Sequence, residues 1–508
     1  MNDMSQSDAP SGLTFPDLLV YRGYSAPVRI EADVYDLEVE GTIPLALNGA
    51  YFRNSGDPQY PPLLGTDIFL NGDGMIHKVS FENGHADLKT RFVRTEKFLL
   101  ERQARRALFG AYRNPFTDDA LVAGRDGNTA NTAMLWHHHK LYALKEAARP
   151  VELDPLTLET LGRRDFKGTL TSKTFTAHPK LDPLTGEAIA FAYNAPGHSS
   201  SEIEVYTLSP TGEIVRTEVF SAPYCSMVHD FHVSRHYIAF TICPMVNDWE
   251  RVKRGEPFFH WDSTKQTKVG IIPRREGVKA IRWFTCPVVA MQTHTFNAWE
   301  EGDAGEWLHL DHFITGSGWL SQFPDLHNPG AQEKPPFAQR WSFNLSQAED
   351  RFTIKKLFDQ IGEMPVIDPR FAMKRARHFW FGTNNPTLGP MLPWGPKGPP
   401  FTCLGHFHET AEGQGEMGGT LDFWYAGPDS APEEPYFVPR SADAPEGDGW
   451  LLSIVGRRNE NRTDLVVLDA RNLAAGPVAT IRMPCRLHEG FHGTWVAQAA
   501  LDAADLNY

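Results

Sequence analysis

The segment MVHDFHVSRHYIAF at 227–240 places His229, His232 and His236 close together. Neutral imidazole is the commonest protein ligand for a metal ion, so histidines grouped this way raise the question of metal chemistry. Read as a strand, the segment alternates its faces: His229 and Phe231 share one, His232 and His236 the other. His229, enclosed by the apolar MVHDF, is the inward candidate. His232 and His236 are expected on the outer face or at a turn. Similar contexts recur along the chain. TFTAHPKLDPLTGE carries His178, MQTHTFNAWEEGD carries His294 and LHEGFHGTWV carries His492, each in an apolar run beside a turn. The intervals are 51 (229 − 178), 65 (294 − 229) and 198 (492 − 294), far too long for one helix or a zinc knuckle. They suit ligands drawn from separate elements that converge on one axis. Four neutral imidazoles would leave a divalent ion with its charge uncompensated and coordination positions open. The set is neither HExxH nor two histidines with a carboxylate.

The elements that must position these residues are mostly strands. TEKFLLERQARRALFG at 95–110 is the best helical signal, with Thr95 as its cap and Gly110 as its stop. Elsewhere, short β-rich runs alternate with Gly, Pro, Asn and Asp turns. One hairpin pattern recurs at 79–93, 151–166, 203–220, 341–358 and 465–483. Two of these share an L-D-x-x-x-L turn, Leu153–Asp154–Leu158 and Leu468–Asp469–Leu473. Hairpins at such intervals predict a β-propeller; a stacked pair of β-sandwiches is the rival. The Pro/Gly-rich tract 382–401 reads as a long surface loop, because strand patterns resume on both sides.

The 508 residues are 41% hydrophobic and carry a net charge of −14. That acidity argues against nucleic acid and against an electrostatically held membrane anchor. Five cysteines without a CxxC pair read as reduced, buried thiols of a cytoplasmic protein. No apolar run approaches the ~18 residues of a membrane span. MNDMSQSDAPSG at the start lacks the features of a signal peptide and reads as a tail.

AHPKLDPLTGE, MVHDF, HTFNAWEEG and FHGTW, with NGDGMIH at 71–77, resemble the carotenoid cleavage oxygenase family, and the match runs from about Ile30 to Trp495. The resemblance implies an all-β, seven-bladed propeller. A cap of loops and short helices, about 95–131, would cover the metal-containing face. Residues 1–28 would form an N-terminal tail and arm, and 29–508 one propeller domain. It further implies Fe(2+) held by His178, His229, His294 and His492, and O2-dependent scission of an alkene into two carbonyl compounds. Glu146, Glu363 and Glu434 match carboxylates that orient three of the histidines, and Thr132 matches a residue whose methyl sits beside the open metal position. In the family pattern His137–His138–His139 falls in a hairpin turn. His406 and His408 read as a solvated strand, and His77 is not a ligand.

LFGAYRNPFTDD at 108–119, LYALKE at 141–146 and the tail VGRRNENRTDLVVLDARNLAAGPVATI resemble the family's phenolic-alkene-cleaving branch. In that branch a tyrosine and a lysine, here Tyr112 and Lys145, contact the substrate phenol. A phenolate pushes electron density through the ring so that the alkene carbon can attack dioxygen. Lys145 would stabilise the phenolate, and Tyr112 would donate or relay a proton. Lys145 and Glu146 are neighbours, so both can face inward only if the backbone bends there. Leu70 stands where stilbene cleavers of the branch carry an aromatic residue. That departure favours isoeugenol or 4-vinylguaiacol-type substrates, giving vanillin-type aldehydes, over stilbenes or apocarotenoids. No nucleic-acid or membrane partner is expected, and a homodimer is left open.

Overall fold

A computed structural model describes residues 13–302, 305–398, 400–410 and 418–505. The tail at 1–12 and Pro399 of the Pro/Gly-rich tract lie outside the described residues. Seven antiparallel sheets, numbered here as blades in chain order, form a β-propeller. Blade 1 is built on Gly49–Gly56, Gly74–Glu82 and His85–Phe92. Blade 2 runs from Ala133–His137 to Thr160–Arg163, blade 3 from Lys180–Leu181 to Ile214–Ser221, and blade 4 from His232–Val233 to Arg282–Thr285. Blade 5 runs from Met291–Glu301 to Phe352–Ile361, blade 6 from Glu363–Val366 to Gly419–Tyr425, and blade 7 from Ser430–Pro432 to Pro477–Arg482.

The ring is closed twice. Gly490–Ala497 pairs with Gly49–Gly56 and becomes the innermost strand of blade 1. Glu38–Gly41 pairs with Pro477–Arg482 on the outer edge of blade 7. The C-terminal strand thus completes the first blade and an N-terminal strand the last.

The recurring hairpins of the sequence are the outer strand pairs of blades 1, 2, 3, 5 and 7. Blades 4 and 6 lack the signal because their outer strands are joined by longer connections, 274–281 and 410–418, and each blade is also split between its second and third strands. Blade 4 admits the small hairpin Met245–Asn247 and Phe259–Trp261, and blade 6 the loop 384–402. The L-D-x-x-x-L turns work through the aspartate. Asp154 Oδ1 accepts the Leu156 and Thr157 amides, both at 2.8 Å, and Asp469 Oδ1 accepts that of Arg471 at 3.0 Å. Each turn returns its last leucine, Leu158 or Leu473, to the core.

The apolar packing lies between blades rather than at the centre. Phe191 of blade 3 meets Phe240 of blade 4, Leu144 of blade 2 meets Tyr206 of blade 3, and Trp380 of blade 6 meets Leu451 of blade 7. The axis is left to polar side chains. Among the described residues no helix is long and apolar enough to cross a membrane. All five cysteines are free, three of them buried.

Three sequence expectations need correction. The helix begins at Thr95, whose Oγ1 accepts the Phe98 amide at 3.1 Å, but ends at Ala104, where Arg105 takes the left-handed conformation. Gly110 serves a different purpose: a Cβ there would lie 2.3 Å from Thr117 Oγ1. His232 is fully buried, its ring 5.0 Å from that of His312. An inner strand of a blade is covered by neighbours on both sides, so neither of its faces meets solvent. His406 is likewise buried, stacked on Trp380 at 5.1 Å with its Nε2 2.9 Å from His378 Nδ1, while His408 is half-buried. His138 and His139 form the hairpin turn, His236 pairs with Glu300 at an exposed turn, and buried His77 meets Ser55 Oγ at 3.1 Å.

Gly72, in the NGDG turn, passes so close to blade 1 that a Cβ there would stand 2.3 Å from the Gly56 carbonyl oxygen. Gly72→Ala should therefore destabilise the protein by about 1–3 kcal/mol, as an overpacked site does. The shift should appear in the denaturation midpoint at unchanged m-value.

Candidate metal centre

His178, His229, His294 and His492 converge, with one nitrogen from each lying within 4.8 Å of the others. All four come from the start of an innermost strand. His178 and His229 immediately precede the short inner strands of blades 3 and 4. His294 sits where the register of Met291–Glu301 shifts, and His492 near the start of Gly490–Ala497. The remaining three blades supply the carboxylates. Glu146 follows the second strand of blade 2, Glu363 opens blade 6, and Glu434 falls in the break between Ser430–Pro432 and Tyr436–Pro439 of blade 7.

Each carboxylate meets the Nδ1 of one histidine: Glu146 Oε1 with His229 at 3.2 Å, Glu363 Oε2 with His294 at 2.6 Å, and Glu434 Oε1 with His492 at 2.7 Å. Burial alone would raise the pKa of these acids, but the imidazole beside each outweighs it and the net shift is downward. An ionised carboxylate only accepts, so each of these Nδ1 atoms carries the hydrogen and each Nε2 presents a lone pair. His229 Nε2 and His294 Nε2 then face each other at 3.0 Å. The fourth ring, His178, lies 4.5–5.1 Å from the other three, with its buried Nε2 unpartnered. Acceptors aimed at one point repel unless a cation lies among them. This donor set fits a divalent transition metal. The field points the same way: burial opposes charge on His294, yet Glu363, Asp230 and Glu434 outweigh it and raise its pKa.

Further groups hold the carboxylates, and sequence reasoning missed them. Arg53, 1% exposed, reaches Glu434 and Glu433, both at 2.9 Å. Arg113 donates to the Tyr193 hydroxyl at 2.7 Å, and Tyr193 donates to Glu146 Oε2 at 2.9 Å. That chain links Arg113 to the carboxylate that holds His229. Arg53 and Glu434 are 381 positions apart, so no local pattern announces the pair.

Of the expected substrate residues, Leu70, Thr132 and Lys145 line a cavity beside the metal centre, and Tyr112 packs behind Lys145 rather than on the cavity wall. The cavity, of about 260 Å³, is also lined by Trp319 and three of the histidines. The strand Lys140–Leu144 ends just before Lys145, whose carbonyl accepts the Ala148 amide at 3.2 Å. The backbone turns there, and Lys145 and Glu146 both reach inward. Lys145 Nζ donates to the Leu70 carbonyl at 2.8 Å and to Asn131 Oδ1 at 3.0 Å. Burial is the main cause that pulls its pKa down to about 7; Glu146 and Asp67 favour its charge and Arg113 opposes it. Tyr112 is buried, its ring centroid 5.3 Å from that ammonium. Desolvation raises its phenol well above the ordinary value and keeps it protonated. Thr132 accepts the His492 amide with its carbonyl at 3.1 Å, which ties it to a metal-binding strand. Asn131, also missed from the sequence, is the hub: its amide donates to the Leu70 and Gly72 carbonyls while its oxygen accepts from Lys145 and Thr132.

Glu363→Gln and Glu434→Gln should keep the fold and weaken metal retention by roughly 10–100-fold. Metal content after dialysis against a graded chelator series measures this. Retention equal to the parent would mean that the carboxylates do not support the rings.

The sequence profile of the family described as retinal pigment epithelial membrane protein matches residues 25–497. The chain is 42% identical to isoeugenol monooxygenase of Pseudomonas putida over 475 residues, covering 93% of this chain and 97% of that protein. It is 39% identical to lignostilbene-α,β-dioxygenase isozyme III of Sphingomonas paucimobilis over 498 residues, 96% of this chain and 99% of that one. The crystal structure of Pseudomonas brassicacearum lignostilbene dioxygenase superposes with a TM-score of 0.88 at 38% identity, covering 96% of this chain and 100% of that one. The four-histidine site and these likenesses place the chain in the carotenoid cleavage oxygenase family, non-haem iron oxygenases that cleave alkenes.

Proposed function

We propose that this enzyme uses Fe(2+) and O2 to cleave the side-chain double bond of 4-hydroxyphenyl alkenes, releasing an aromatic aldehyde. His178, His229, His294 and His492 would hold the iron, with Glu146, Glu363 and Glu434 fixing three of the rings. Isoeugenol and 4-vinylguaiacol are the model substrates and vanillin the model product. The similarity to isoeugenol monooxygenase and the aliphatic Leu70 on the cavity wall support a short propenyl or vinyl group. A hydroxystilbene is the second reading, supported by similarity to lignostilbene dioxygenases. An apocarotenoid polyene, which has no phenol for Lys145 and Tyr112 to engage, is the least favoured reading.

One observation carries the phenolic reading. Lys145 is 5% exposed on the cavity wall, its two hydrogen bonds go to neutral oxygens, and its pKa is down to about 7. A neutral amine in that position accepts the proton of a phenol and becomes the cation that holds the phenolate. Asn131 keeps the Lys145 side chain aimed while it changes charge. Tyr112, held protonated, donates to the same substrate oxygen. The iron supplies the binding and activation of dioxygen. The electron density released by the phenolate reaches the alkene carbon through the ring, and the apolar wall keeps water from protonating that carbon.

Isoeugenol and its O-methyl ether separate this reading from others, because only the phenol can ionise. Tyr112→Phe and Lys145→Met should retain iron and lose about 10²–10⁴-fold in turnover of the phenol. The double variant should fall by less than the product of the two losses, since both residues serve one oxygen. Equal rates on phenol and ether would overturn the phenolate mechanism.

The pH dependence has a definite sign. Below pH 7 Lys145 is already charged and cannot take the proton, so kcat/KM should rise through about pH 7 and then level. A second change follows only where the substrate phenol itself ionises, near the ordinary phenol value of about 10. Lys145→Met should remove the step near pH 7. A profile unchanged in the variant would dissociate Lys145 from the proton.

A further inference from the structure

The cavity does not end at the iron site. The Pro/Gly-rich loop 384–402 enters it through Gly395, Pro396, Lys397 and Gly398. The loop is held there: Gly395 and Gly398 exchange backbone hydrogen bonds at 2.9 and 3.1 Å, and Gln322 donates to the Pro396 carbonyl at 3.2 Å. Lys397 is presented by this bracket. Its ammonium donates to the Gly490 carbonyl at 2.8 Å and the Glu489 carbonyl at 3.2 Å. It stands 3.9 Å from the ring centroid of Phe491, the residue before His492, and 5.8 Å from that of Phe69, the residue before Leu70. Lys397 is exposed, and it is one of the residues that line the cavity.

An ammonium group has three donors, and the two carbonyls engage two of them. The acids near Lys397 are committed elsewhere. Glu489 is bound by Arg458 at 3.0 Å and by Ser25 Oγ at 2.9 Å, and Glu433 by Arg53 at 2.9 Å. Desolvation lowers the Lys397 pKa to about 8, so it remains largely charged at neutral pH. Lys145 and Lys397 both line the cavity, the first against Leu70 and the second against Phe69 and Phe491.

We infer that Lys397 determines substrate specificity by donating to an oxygen carried one carbon beyond the alkene, on the side away from the ring. The favoured substrates would be 4-hydroxyphenyl propenyl compounds whose chain ends in a carboxylate or a hydroxyl, that is, 4-hydroxycinnamates and 4-hydroxycinnamyl alcohols. This rests on the phenolic-alkene reading and names the group at the other end of the substrate. Cleavage of a 4-hydroxycinnamate consumes one O2, breaks the C=C bond and leaves a carbonyl on each carbon. The products are 4-hydroxybenzaldehyde and glyoxylate, where a propenylphenol gives acetaldehyde.

Isoeugenol, 4-hydroxy-3-methoxycinnamyl alcohol and 4-hydroxy-3-methoxycinnamate share one aromatic product, vanillin, so a single assay compares them. The kcat/KM of each oxygenated substrate relative to isoeugenol should drop by about tenfold or more in Lys397→Met, the scale of a charge-assisted hydrogen bond. A drop for the acid alone identifies an ion pair, and a drop for both identifies a hydrogen bond; either supports the inference. Ratios that stay at the parent value, with all three rates falling together, would show that Lys397 only braces the loop. Lys397→Gln, which keeps donors for the two carbonyls, should lose the preference for the acid while retaining parental iron content. Calorimetry on the parent alone gives an independent arm with uncleavable analogues. Here 3-(4-hydroxyphenyl)propanoate should bind about tenfold more tightly than 4-propylphenol, and equal affinities would overturn the inference. Isoeugenol also separates the two levels. If it is cleaved and the ratios do not move, only the Lys397 contact fails; if no phenol is cleaved, the phenolic reading fails and calorimetry still decides the contact.

Discussion

Four imidazole nitrogens that present lone pairs to one point repel one another, and only a cation placed among them relieves that repulsion. Three of the four tautomers are not free to adjust. Three Nδ1 hydrogens are engaged by buried carboxylates, and the unpartnered Nε2 of His178 completes the set. Two demands follow for the scaffold. It must bring seven side chains from positions 146 to 492 to one axis, and it must keep three carboxylates ionised where burial opposes their charge. A seven-bladed ring meets the first by giving every blade one role, with four supplying histidines and three supplying glutamates. It meets the second with the imidazoles themselves, with Arg53, and with the Arg113–Tyr193 chain.

This arrangement divides the molecule by polarity. Apolar side chains pack between blades, where they stiffen the ring, and the axis carries almost only polar groups. The cavity lies where the two regimes meet. Leu70, Trp319 and Phe491 give it apolar walls, and Lys145 and Lys397 bring their amino groups to its lining. A lysine held among neutral oxygens is costly to charge, and that cost is what tunes Lys145 into the range where a proton can move.

Much of this was legible in the sequence, and the parts that were not share a cause. The histidine contexts and the outer hairpins are local patterns, so the ligands and the propeller could be read from short stretches. The bend after Leu144 was implied by two inward residues in succession. The end of the helix was misplaced because Arg105, a residue with no obvious bias, takes the left-handed turn that a glycine was expected to take. His232 and His406 were expected on outer or solvated faces because strand alternation says nothing about a blade covered on both sides. Arg53, Asn131 and Tyr193 carry no local signal; each matters through a partner that only ring closure brings near.

The position of the innermost strand of blade 1 has a consequence for biosynthesis. Gly490–Ala497 brings His492 to the axis, 314 residues after His178 (492 − 178). A ribosome completes three of the ligands long before the fourth. Synthesis runs from the N-terminus, yet here the site cannot close until the late strand returns to the early one. A complete set of four histidines thus requires that the ring be closed. A chain that stops short of blade 1's last strand lacks the fourth histidine.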